Sequence, residues 1–247
     1  MKFVYMVMEA AKMTIKSLFF LISAIGLALT FAACDEERES RTETRTVEAG
    51  GAEAVEVDVR MGAGELRLQG GASALMEGRF DTNYPRWIPE VDYRVRDRKG
   101  ELTVRQRRST GIHFGRRRND WTVRLNGGLT TGLKVRLGAG ESRLDLKGMA
   151  LESLDIQMGV GELDLDLGGP RTKALRARIE GGVGSGTVRL PKDIGVRVEV
   201  NGGIGSVNAH GFDKRGHTYT NEAYGRTPAS IDLSIDAGIG SIDLRLE

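Results

Sequence analysis

Residues 133–167 read LKVRLGAGESRLDLKGMALESLDIQMGVGELDLDL. Apolar and polar side chains alternate through LKVRL (133–137), break at Gly138-Ala139-Gly140, and alternate again through SRLDL. The same order recurs in LDIQM (154–158), Gly159-Val160-Gly161 and ELDLDL. A period of two is the pattern of a strand with one buried face, whereas an amphipathic helix needs apolar residues at 3.6 spacing. Leu133, Val135 and Leu137 therefore share the inner face, with Lys134 and Arg136 outside.

Working outward, six Gly-x-Gly units appear: Gly62 with Gly64, Gly138 with Gly140, Gly159 with Gly161, Gly182 with Gly184, Gly203 with Gly205, and Gly238 with Gly240. Each follows an alternating apolar run. The runs begin at 133, 154, 175 and 196, 21 residues apart, and the next begins at 231, one period plus an insertion of about 14. Each repeat reads as strand, glycine bend, strand, turn. Such a unit cannot bury its own face, but stacked copies can, with rungs about 4.8 Å apart. The expected fold is all-β: a single-stranded parallel β-solenoid with repeats of about 21 residues. All twelve glycines are expected to act as structural turns, because glycine accepts positive φ and lets backbones approach closely. The chain has 34 glycines with only 5 prolines and no Gly-X-Y period, which excludes collagen and Pro/Gly-rich disorder.

The N-terminus carries an address. Lys12 and Lys16 precede an apolar run over residues 18–31, long enough for a signal-peptide core and short for a membrane span. LTFAAC, ending at Cys34, resembles the lipobox of bacterial lipoproteins, in which the cysteine is acylated; the alternative is a plain membrane anchor. Met1 and Met13 both serve as candidate starts. The expected organisation is a signal peptide over 1–33, a lipidated Cys34 with a flexible tether over 34–52, and the solenoid over 53–247, exposed outside the cytoplasm on the cell membrane or outer membrane.

The alternating runs, the G-[AVI]-G-[ES] bends, the 21-residue period, Trp121-Thr-Val-Arg-Leu125 and Leu190-Pro191 with Gly195-Val196 together resemble the bacterial toastrack domain. That family includes the extracytoplasmic part of LiaF-type regulators and candidate adhesins. The resemblance implies a right-handed β-helix-like fold, membrane attachment, a link to envelope stress, and no catalytic residues to carry over.

The residues themselves offer little chemistry. No Gly-x-Gly unit completes Gly-x-Gly-x-x-Gly or opens a helix, so a dinucleotide site is not expected. Asp164 and Asp166, with Asp145 and Asp243 at comparable places, could form a carboxylate column suited to Ca²⁺ or to glycan cleavage. Arg143, Arg189 and Arg245 share that face, which favours a solvated surface. His113, His210 and His217 lack a metal-ligand spacing, and Ser185 lacks the strand-to-helix setting of a nucleophile elbow. No cofactor, metal or catalytic group is expected.

Net charge is only +2, yet residues 94–118 hold ten bases against two acids. This stretch lies within the long interval between the first two bends, and insertions on a solenoid often build its binding face. Arg105, Arg107, Arg108, Arg116, Arg117 and Arg118 are the expected electrostatic surface. On an exported domain the fitting partners are anionic lipid or an envelope glycopolymer, with nucleic acid a poor one. The C-terminal strand over 242–246 has no following cap and is expected to be an open edge for a partner or a second copy. The functional expectation is a non-enzymatic interaction or sensing module in envelope stress. The alternatives are a surface adhesin or scaffold and, less favoured, a carbohydrate-active enzyme.

Overall fold

A computed structural model describes residues 40–107 and 118–247. The chain divides after Arg38, and every described element belongs to the compact unit Glu39–Glu247. Six strands of 16 or 17 residues form the body: β2 (Ala54–Gln69), β7 (Thr130–Asp145), β8 (Leu151–Asp166), β9 (Leu175–Leu190), β10 (Gly195–His210) and β13 (Ser230–Leu246). Each is one rung bent at its Gly-x-Gly unit, and the rungs pair in parallel and in register, with Gly64 beside Gly140 and Gly205 beside Gly240.

The bend works by shifting side-chain phase. In β7, Leu133, Val135 and Leu137 are buried before the corner, and Ser142 and Leu144 after it, so odd positions face inward on one limb and even positions on the other. A straight strand keeps one parity. The change lets both limbs feed one continuous core, in which Val59, Leu133 and Val135 are 0% exposed. Burying each such side chain contributes about 2 kcal/mol.

Glycine is required at the corner by close approach. A Cβ on Gly161 would stand 1.8 Å from the Gly140 carbonyl oxygen of the rung beside it, and its φ of +144° disfavours any other residue. The glycines form a ladder up the corner, where Val160 and Ile239, each between its two glycines, stand exposed.

The expectation that these glycines are turns is corrected in form. Each Gly-x-Gly unit lies inside one unbroken strand, because the ladder to the neighbouring rungs continues on both sides of the corner. The two ends of the glycine ladder also differ from its middle. Gly64 has a rung of glycines on one side only; on the other, its Cβ would strike the Asn119 carbonyl oxygen at 2.0 Å and the Met61 Cε at 2.5 Å. Gly205 keeps the close approach, 1.9 Å to the Gly240 carbonyl oxygen, but its φ is outside the left-handed range that Gly64, Gly140, Gly161, Gly184 and Gly240 share. At Gly205, therefore, glycine is demanded by space and not by a positive φ.

Rung order departs from chain order. The rungs run β2-β7-β8-β9-β13-β10, so the C-terminal strand lies between β9 and β10 and is paired on both sides. The expected open edge at 242–246 is therefore corrected: β13 is interior. Every rung carries its corner at the same place, so the register suits any neighbour, and chain order alone does not set stacking order.

Near β2 the coil is capped by shorter strands: β1 (Arg41–Val47), β3 (Met76–Thr82), β4 (Glu90–Arg96), β5 (Lys99–Arg105) and β6 (Asn119–Leu125). β5 pairs in parallel with the first limb of β2, and β6 with its second limb. They are thus the two halves of one rung, beside the two limbs of β2. β4 continues outward from β5, and β3 and then β1 continue outward from β6, all antiparallel. Phe80 and Trp121, both 1% exposed, meet edge-to-face at 5.4 Å inside this cap.

The expected tether over 34–52 is corrected in its second half, because residues 41–47 form β1, in register against β3. Alternating threonines suit a strand, and the partner supplies the hydrogen bonds that a polar segment lacks alone. At the other end, β11 (Asp213–Arg215) and β12 (Thr218–Thr220) form a hairpin against the first limb of β10.

Candidate binding cleft

Superposing the repeats on their bends places the residue two before each first glycine in one outward column. In spatial order it reads Arg60, Arg136, Gln157, Glu180, Asp236 and Asn201. Five of these line an open cleft of about 1170 Å³, walled at the cap end by Glu90, Arg105, Gln106 and Arg107. The first glycines of four corners, Gly62, Gly138, Gly159 and Gly182, also line it, so the ladder forms part of its wall. Gly64 and Gly205, expected from sequence only as turns, do not line this cleft.

Charge is graded along it. At the cap end, Asp58 receives Arg60 at 2.6 Å and Arg136 at 2.9 Å, while Glu90 receives Arg105 at 2.7 Å and Arg107 at 3.0 Å. Four guanidiniums thus share two carboxylates. Arg136 also donates from Nε to Gln157 at 3.2 Å. At the far end the ratio inverts, with Arg178 bonded to Glu180 at 2.7 Å and Asp236 at 2.9 Å. Burial pulls the Asp58 carboxyl upward, but the Arg60 hydrogen bond and the charges of Arg136 and Arg60 outweigh it and hold it below its ordinary range.

A guanidinium carries five N–H donors, and these ion pairs use only one or two of them. The side chains of Arg60, Arg105 and Arg107 remain more than half exposed. The cap end therefore offers a row of spare donors with excess positive charge, suited to sulfate, phosphate or carboxylate groups along an extended ligand.

Of the arginines expected from sequence, Arg105 and Arg107 lie in this cleft. Arg118 is bonded to Asp120 at 2.7 Å, which raises its pKa. Arg108, Arg116, Arg117 and Cys34 lie outside the described residues. Several bases of the 94–118 stretch are neutralised by acids from elsewhere: Arg98 by Glu53, Lys99 by Glu56 and Arg105 by Glu90. Asp58, Arg60, Arg136, Glu180 and Asp236 are absent from the sequence expectation, although stacking the repeats in register finds most of them.

The carboxylates singled out from sequence do not gather into a column. Asp145 and Asp166 are neighbours, but Arg189 follows Asp166, while Asp164 lies between Arg143 and Thr187 and is bonded to Arg189. Asp243 pairs with Arg245 at 2.6 Å. Among the described residues no three His, Cys, Asp or Glu side chains are grouped to hold a metal ion. His210 ends β10, the His217 carbonyl accepts from Val200 N–H at 2.9 Å, and His113 lies outside the described residues. No helix among the described residues is long and apolar enough to cross a membrane.

Bent rungs, glycine ladder and charged cleft define a β-solenoid of the toastrack class. The family profile for the N-terminal domain of toast_rack, DUF2154, matches residues 36–189, and the chain belongs to that family. A crystal structure of a candidate cell adhesion protein from Clostridium sporogenes is 38% identical, superposes with a TM-score of 0.82, and covers 85% of this chain and 100% of its own. Candidate adhesins from Bacteroides fragilis and Parabacteroides merdae are 12% and 13% identical, with TM-scores of 0.27 and 0.29. They cover 84% of this chain and 98% and 97% of theirs. The comparison with curated proteins found no match.

Proposed function

We propose that this chain is a non-enzymatic adhesion module of the cell envelope that grips an anionic polymer in its arginine-lined cleft. The carrying observation is the cap end of that cleft, where Arg60, Arg136, Arg105 and Arg107 surround only Asp58 and Glu90. The cleft spans several rungs, a shape suited to an extended ligand. Three of its donors, Arg60, Arg105 and Arg136, project from strands, so little ordering of these is needed on binding. Adhesion is favoured over envelope-stress sensing by the 38% identical candidate cell adhesion protein. The lipobox-like LTFAAC supports attachment to a membrane through acylated Cys34, with the solenoid displayed outside the cytoplasm.

The probes are dextran sulfate, polygalacturonate and neutral dextran, with phosphatidylglycerol vesicles as a lipid arm, titrated against the unit Glu39–Glu247. Binding to the charged polymers is expected to weaken steeply with salt and to fall at least tenfold when Arg60, Arg105, Arg107 and Arg136 are all changed to Gln. Undiminished binding by that variant, or equal binding of neutral dextran, overturns the polymer reading; binding to vesicles alone replaces it with a lipid contact. For the anchor, Cys34→Ala abolishes acyl labelling, and retained labelling refutes the lipid attachment.

A further inference from the structure

We infer that the second limb of β10 is a docking edge for the same edge of a second copy of this chain. Residues 206–210 (Ser-Val-Asn-Ala-His) pair in parallel with β13 on one side. Among the described residues no strand pairs with their other side, because the β11–β12 hairpin covers only the first limb, at residues 197–199. A row of backbone donors and acceptors is therefore presented to solvent.

The contrast with the other margins of the sheet is chemical. β1 carries Arg41, Glu43 and Arg45, β4 carries Glu90, Asp92, Arg94 and Arg96, and β11 is Asp-Lys-Arg. Charges along an edge discourage further pairing. Residues 201–209 contain no charge and no proline, so this edge lacks that protection. The core also ends here incompletely covered: Val207, Ala209, Phe212 and Leu246 pack against it yet are only partly buried.

The occupant follows from self-complementarity. Antiparallel pairing about a two-fold axis at Asn208 sets Val207 opposite Ala209 and Ser206 opposite His210, with Asn208 opposite itself. The small apolar residues then meet on the inner face, continuing the core of one coil into the other, and the polar residues meet on the outer face. One contact covers both exposed core ends. Residues 206–209 themselves carry no formal charge to call for a partner of opposite sign, and the one cation bordering them among the residues lining the adjoining cavity is Lys214 of β11. A two-fold contact of this kind is closed, so it yields dimers and no fibres. The edge is short and the interface small, so the dissociation constant is expected at about 100 µM.

The test uses the unit Glu39–Glu247, which holds every described strand and the whole core and contains no cysteine. Sedimentation should show monomer at low micromolar concentration and dimer near millimolar. Asn208→Cys should give a disulfide-linked dimer on mild oxidation, whereas Asp155→Cys, on the outer face of β8, should not. Val207→Lys and, separately, the exposed Ser206→Lys should each weaken dimerisation at least tenfold without changing the circular dichroism spectrum. A monomer throughout the range, a dimer that survives both lysines, or equal cross-linking from Asp155→Cys overturns the proposal. Pairing of this edge with a foreign strand and never with itself also overturns it.

Discussion

The side chain of Gln106 accepts a hydrogen bond from the backbone N–H of Gly62 at 2.8 Å, so a side-chain amide takes the place of the next rung's backbone. Asn119 completes the substitution. It donates to the Ala63 carbonyl at 2.7 Å and accepts from Trp121 Nε1 at 2.9 Å. Two amides thus terminate the glycine ladder on the side of β5 and β6.

Asn119 is 3% exposed, and Asn119→Ala leaves both the Ala63 carbonyl and the Trp121 indole N–H without their partner. The expected loss is about 2–3 kcal/mol, and Gln106→Ala, at a more exposed position, should cost about 1 kcal/mol. Urea unfolding followed by Trp fluorescence measures both. Equal and negligible losses would show that the ladder needs no terminus.

Gly161→Ala forces a Cβ against the Gly140 carbonyl at 1.8 Å and is expected to cost more than about 3 kcal/mol or to prevent folding. Gly181, one residue before the β9 corner, has no atom within 4 Å of the corresponding position and no positive φ. Gly181→Ala should leave stability unchanged or raise it by up to about 1 kcal/mol, through the unfolded chain. Thermal melts of the two variants side by side separate the effect of the ladder from a general effect of glycine.

The Arg60 hydrogen bond and the charges of Arg136 and Arg60 outweigh burial and hold the Asp58 carboxyl below its ordinary range in the folded chain. A depressed carboxyl stabilises fully above its unfolded pKa, and the contribution fades as pH falls through the folded value. Asp81 and Asp243 shift the same way, so stability should drop between about pH 5 and pH 2. Asp58→Asn should lower stability at pH 7 and flatten the acid limb of the curve. An acid limb as steep as that of the parent would remove Asp58 from the account.

Hydrogen exchange at low protein concentration should distinguish the two C-terminal rungs. β13 is hydrogen-bonded on both sides, so the amides of Leu233, Ile235 and Leu244 should be among the slowest. Within residues 206–210, the amides pointing away from β13 should exchange orders of magnitude faster. Uniform protection of β10 would mean that its second limb is covered even in the monomer.

Much of the body is legible in sequence because its determinants are local. Leu133, Val135 and Leu137 declare a strand face, and the glycines declare the corner. The 21-residue spacing declares the rung from β7 to β8, but β8 and β9 stack at 23, with Leu154 beside Ala177 and Gly161 beside Gly184, so the expected even spacing is corrected there. What the glycines do not declare is their surroundings: Gly64 and Gly205 read like the other corners, yet one abuts Asn119 and the other lacks the positive φ. The placement of β13 is not local. Ile231, Leu233 and Ile235 match the inner face of β9 as well as that of β10, and equal corners give equal register on either side. β1 is hidden for another reason: its alternating Arg, Thr and Glu look like a soluble tether, and only β3 makes them a strand. The cleft is half legible. Arg105 and Arg107 stand out as part of a basic run, whereas Arg60, Arg136 and Asp58 come together only when rungs 76 residues apart in sequence stack.

The interior position of β13 bears on how this molecule is made. A coil wound in the order of synthesis would set β10 directly on β9, one period later and in matching register. The native arrangement needs that contact to stay open, or to be undone, until residues 230–246 have been released and slid between them. Such a pairing would have a register much like the native one, and β13 would have to displace it to reach its place between β9 and β10. A molecule interrupted before residue 230 lacks the rung that lies between β9 and β10.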